Sequence, residues 1–121
     1  MSVGYFRRWS RRLSETDEER LAVQVSEWAA TVKGAVRMDG APVRQRIKLA
    51  GVVNRISVVP SPGGDSLEAV LTDGTGEVTA VWTGRRAIPG MYLGTRLIVE
   101  GVLVKQGPGR RLVNPAFDFA S

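Results

Sequence analysis

The chain has 121 residues, 43% of them apolar, enough for one packed domain and a short appendage. Seventeen Lys and Arg against twelve Asp and Glu leave a net charge of +5, a balance that favours anionic partners such as nucleic acid or an acidic membrane surface. With no cysteine and no histidine, disulfides, thiol nucleophiles, zinc ribbons and the commonest general base are all excluded.

No metal or cofactor is expected, and the chain reads as a non-enzyme. Carboxylate or lysine catalysis stays chemically open, but the acids form no convincing catalytic pair. No apolar run approaches the ~18 residues of a membrane span, and the N-terminus lacks the apolar core of a signal peptide. A cytoplasmic protein is expected.

Residues 1–13, "MSVGYFRRWSRRL", hold four arginines and no acid, and form a basic tail. Aromatics interleaved with arginines suit nucleic acid or an anionic bilayer, and the same run also reads as an unattached tail. Residues 14–40 are predicted to be an amphipathic helix and linker. Ser14 and Thr16 are candidate N-caps, each with an acid three positions on, and acids in the first turn suit the helix dipole. Leu21, Val25, Trp28 and Val32 fall on one face, a stripe to bury on this chain, on a second copy or on another protein. Gly34 is the predicted stop.

From residue 41 the texture is that of strands. The stretch 44–59, "RQRIKLAGVVNRISVV", is long and β-branched, and Gly51 within it predicts a bulge or sharp bend. "PSPGGD" is a loop. "SLEAVLTD" (66–73) alternates, "DGTG" is a tight turn, and "EVTAVW" (77–82) returns as its hairpin partner. "DGTGE" lacks the lysine of a P-loop and the ligand spacing of an EF-hand, so it is read as a turn. "RRAIPGMYLG" (85–94) is a connection, too punctuated for a long helix. "TRLIVEGVLVK" (95–105), interrupted by Gly101, is a fourth strand, and "RRLVNP" (110–115) after the turn "QGPG" is a fifth. Five strands in this order, the first and fourth bent at glycines, predict an all-β closed barrel behind an N-terminal helix.

The hairpin "LEAVLTDGTGEVTAVWTGRR", with "IPG" at 88–90, "LIVEG" at 97–101 and "NP" at 114–115, resembles the stand-alone OB-fold nucleic-acid-binding proteins of high-GC, actinobacterial-type bacteria. It is similar, more loosely, to the wedge domain of the branched-DNA helicase RecG. The resemblance covers Arg44 to about Phe119, and it implies a five-stranded Greek-key OB barrel over 41–121. The family's last strand often ends in an aromatic–acid pair, where this chain has "AFDF" (116–119).

Such barrels bind single strands on the face of strands two and three, by stacking on aromatics and by phosphate contacts. The candidate contacts here are Arg55, Thr79, Trp82, Arg85, Arg86, Lys105, Arg110 and Arg111, the cations among them expected to converge on one basic rim. Trp82 has two readings. Alternation carries it inward after Val78 and Ala80 as a plug for the barrel end, whereas a bulge would make it a stacking platform. Apart from Trp82, that sheet face holds no aromatic. The expected function is therefore non-catalytic binding of nucleic acid through the basic rim with weak sequence preference, DNA (single-stranded or branched) ahead of RNA. The alternative is a protein-interaction OB module docking through the helix or a barrel edge.

Overall fold

A computed structural model describes residues 15–120. The basic tail and the cap candidate Ser14 lie outside the described residues. Alternating burial sets the architecture. In "SLEAVLT" the residues Leu67, Ala69 and Leu71 are buried and their neighbours half-exposed, so one face of the strand turns into a core. The helix α1 (Glu15–Thr31) and a single 3-10 turn (Met38–Gly40) precede six strands: β1 (Arg46–Val59), β2 (Ser66–Thr72), β3 (Glu77–Thr83), β4 (Arg96–Gln106), β5 (Gly109–Val113) and β6 (Ala116–Phe119).

The strands pair in the order β1-β2-β3-β5-β4, and a further β1–β4 pairing closes the ring. All these pairings are antiparallel except β3–β5, which is parallel. This is the expected OB barrel. Closure needs long strands that change partners. Strand β1 pairs with β4 over Arg46–Val52 and with β2 over Val52–Val59, so the handover falls beside Gly51. A Cβ at Gly51 would stand 2.7 Å from Met38 Cε and 2.8 Å from the Thr72 carbonyl oxygen, so only glycine lets the strand bend that tightly. The bulge itself comes three residues later, where Asn54 interrupts the register with β2. Strand β4 changes partners at Gly101, from β6 (Leu97–Glu100) to β5 (Leu103–Gln106).

The fifth strand ends earlier than the sequence implies, at Val113. Asn114 takes a left-handed φ of 50°, which asparagine tolerates, and Pro115 follows it. The chain then resumes as β6, so "AFDF" is a short sixth strand along β4 rather than a tail. Phe117 closes edge-on against Trp82, with ring centroids 5.4 Å apart.

The core is the barrel interior, from Leu49 and Val53 through Leu71, Val78 and Leu97 to Leu112. Met38, in the stretch read as linker, belongs to it and is fully buried, so the core starts before residue 41. Helix α1 lies against β1. Ala50 and Val52 point away from the barrel interior by alternation, yet are buried where the helix covers that strand. Of the helical stripe Val25 is buried, Leu21, Trp28 and Val32 are partly so, and the Arg96 guanidinium sits 5.0 Å over the Trp28 ring. No helix among the described residues is long and apolar enough to cross a membrane.

Candidate nucleic-acid interface

The parallel β3–β5 pairing decides where the basic residues stand. Thr79 lies opposite Arg111, so the start of β5 meets the start of β3, while Arg85 and Arg86 follow its end. Arg110 and Lys105, which face each other across the β4–β5 hairpin, therefore sit at one end of β3, and the Arg85–Arg86 pair sits at the other. A seven-residue strand separates them, about 20 Å at 3.3 Å per residue. The expected convergence on one rim does not occur. Only an antiparallel β3–β5 pair could have brought those positions together.

The cations instead mark out a face. Cross-strand pairing aligns Arg55, Val70, Thr79, Arg111 and Val104 in one row over β1, β2, β3, β5 and β4. All five point outward, because their neighbours Leu71, Val78, Ala80 and Leu112 fill the interior. The row runs across the strands, and the two outer cation groups lie beyond its two sides. Arg55 is exposed, while Thr79 is half-buried between Val70 and Arg111.

Several of these cations already have partners. Arg111 Nη1 donates to Glu68 Oε2 at 3.1 Å, with both side chains partly shielded. Arg110 Nη2 donates to the Glu77 carbonyl at 3.2 Å, which fixes it beside the β2–β3 turn. Arg86 pairs with Asp65 at 3.2 Å but keeps 76% of its side chain exposed, so most of its donors still meet solvent. Arg85 and Lys105 are exposed. Six cations thus share the face and its ends with Asp65, Glu68 and Glu77.

Trp82 is not on this face. It is 4% exposed, its Nε1–H donates to the Pro115 carbonyl at 3.2 Å, and Phe117 packs edge-on against it. The plug geometry is the one realised, because β3 continues without a bulge from Val78 through Ala80 to Trp82. The Asn114 kink locks the same corner. Its N–H donates to the Val81 carbonyl at 2.6 Å and its Oδ1 accepts the Thr83 N–H at 2.9 Å. Trp82 therefore has no free ring face for a base.

Two features escaped the sequence reading. Tyr92, 70% exposed, stands at the end of the barrel where Arg85 and Arg86 lie. An aromatic between two glycines in "GMYLG" was the available signal. The second is Asp39, whose carboxyl is held below its ordinary range, chiefly by the hydrogen bond that Arg37 donates to it. That pair braces the 3-10 turn. Among the described residues no group of acids is arranged to hold a metal ion.

No protein-family model matches the chain. No curated protein matches it either. Solved structures do. A replication protein A heterotrimer bound to ssDNA matches with a TM-score of 0.52 at 16% identity, covering 82% of this chain and 77% of that one. The S. pombe Stn1–Ten1 complex matches at 0.51 and 21% identity, over 68% of this chain and 62% of that one. The p204 HINb domain matches at 0.54 and 15% identity, over 89% of this chain and 52% of that one, so this chain spans about half its length. At these identities the likeness is one of fold.

Proposed function

We propose that the chain binds nucleic acid without catalysing its chemistry, along the outer face of β1, β2, β3 and β5. The observation that carries this is the row of Arg55, Thr79 and Arg111 with cation pairs beyond it, Lys105 with Arg110 and Arg85 with Arg86. Guanidinium groups match phosphate oxygens bidentately, and a face without aromatics reads bases poorly. The outcome is electrostatic, weakly sequence-selective binding. The replication protein A structure, with its bound single strand, supports the choice of a single-stranded ligand. The sequence motifs' resemblance to a branched-DNA wedge domain makes branched DNA the second substrate to test, with DNA ahead of RNA.

One observation favours a different use of the barrel. Val102, Val104 and Val113 are 48%, 37% and 54% exposed on the outer surface of β4 and β5, an apolar strip that a protein partner could cover. In that reading the half-exposed parts of the helical stripe, Leu21, Trp28 and Val32, would serve as a second docking element, Val25 being buried against this chain.

Titrating single-stranded, double-stranded and branched DNA and single-stranded RNA across salt separates the two. Binding to nucleic acid that weakens steeply with salt supports the proposal. Absence of binding to all four at low salt gives the case to the interaction module.

A further inference from the structure

Beyond the end of β3 the barrel does not close over. A hollow of about 250 Å³ opens there, lined by Ile56, Leu67, Ile88, Met91, Tyr92 and Arg86. It is smaller than the ~300–1,000 Å³ typical of drug-sized sites, with room for one planar ring system. Its wall is apolar and its lip is cationic, with Arg85 and Arg86 exposed and Asp65 the acid paired to Arg86.

Tyr92 makes this more than an open barrel end. Its side chain is 70% exposed, yet its backbone is fixed. The Tyr92 N–H donates to Thr95 Oγ1 at 3.1 Å, and the Thr95 N–H returns to the Tyr92 carbonyl at 3.0 Å. Gly94 N–H donates to the Val53 carbonyl at 2.7 Å, and Val53 N–H donates to the Thr95 carbonyl at 2.9 Å, stitching the turn to β1. Met91, beside it, is 5% exposed and seats the turn on the core. A phenol ring held on so fixed a backbone loses little freedom when another ring stacks on it.

We propose that this mouth is a base-binding site. One unstacked base of a single-stranded nucleic acid lies against Tyr92 over the hollow, and Arg85 and Arg86 hold the phosphates on either side of it. The site rests on the nucleic-acid reading above and adds the stacking element that the outer face lacks. Apolar wall, exposed aromatic and guanidinium lip together match a base with its phosphates, a flat π surface joined to anions.

The test uses the full chain with short oligothymidine and oligouridine, so that the DNA and RNA arms show which strand is taken. Tyr92→Ala should weaken binding roughly five- to a hundredfold while the salt dependence stays unchanged, and Tyr92→Phe should bind as wild type. An oligomer carrying one 5-iodouracil should cross-link to Tyr92 on irradiation. Wild-type affinity in Tyr92→Ala, with cross-links confined to β2 or β3, overturns the mouth site and leaves the outer-face reading standing. No binding of wild type to either oligomer overturns the nucleic-acid reading itself, and the mouth with it.

Discussion

The two ends of the barrel are built on opposite plans. At the β2–β3 turn one buried carboxylate gathers the donors of the hairpin and of the 3-10 turn. Asp73, 3% exposed, accepts hydrogen bonds at Oδ2 from the Met38 N–H (2.9 Å) and at Oδ1 from the Thr75 N–H (2.9 Å), the Thr75 hydroxyl (2.6 Å) and the Gly76 N–H (3.2 Å). A Cβ on Gly74 would stand 2.5 Å from the Ala22 carbonyl oxygen, so the helix rests directly on the turn. The opposite end keeps a hollow over Ile56, Leu67, Ile88 and Met91, with an exposed tyrosine and two exposed arginines around it. The turn end is pinned by hydrogen bonds, and its hollow of about 330 Å³ is flanked by Glu18, Glu19 and Glu77, whereas the other end presents an aromatic and cations to a ligand. Substitutions should therefore separate stability from binding according to the end they touch.

The largest effect belongs to Trp82, in the core near the end of β3. Trp82→Ala should lose about 3–5 kcal/mol in chemical denaturation, because it removes a buried aromatic and frees the Pro115 carbonyl. A well-folded Trp82→Ala protein that had lost binding would put Trp82 back among the contacts. Asp73→Ala comes next, at about 2–4 kcal/mol, since it strands buried donors at the 3-10 turn and the hairpin together. A loss below ~1 kcal/mol would show that the Asp73 hydrogen bonds are not what hold that corner.

Gly74→Ala should cost about 1–2 kcal/mol for its left-handed φ of 86° alone, and more if the helix must lift off. Helix content by circular dichroism separates the two contributions. We also propose that the barrel folds without its helix. A fragment starting at Ala35 should unfold cooperatively, and one starting at Ala41 should be less stable by ~2–5 kcal/mol, the cost of losing the buried Met38. If the longer fragment is molten, the helix belongs to the folding unit. The smallest effect is that of Tyr92→Ala, within ~0.5 kcal/mol of wild type, as for other surface substitutions.

The strands were legible because burial on one face prints an alternation, and the turn because "DGTG" admits few conformations. Gly51 and Gly101 announced the bends at which β1 and β4 change partners. Other features depend on contacts distant in sequence. Met38 sits in a non-periodic stretch, and its side chain becomes core only through contacts far along the chain, Gly51 among them. "AFDF" is too short and too exposed to read as a strand without β4 beside it. The placement of the arginines turns on the direction of β5 against β3, which no local pattern encodes. Tyr92 lies in a connection with no period at all, so its exposure could not be read from its neighbours.

The central claim is that cations at both ends of β3 meet one bound strand. Salt dependence of single-strand binding tests it most directly, at a slope of about −0.7 per neutralised phosphate. Replacing Arg85 and Arg86 with alanine should flatten that slope by up to ~1.4, and replacing Lys105 and Arg110 by a similar amount. Because the pairs sit at opposite ends of β3, the quadruple variant should show the sum of the two changes. A slope that responds to only one pair, or to neither while binding persists, would contradict the account.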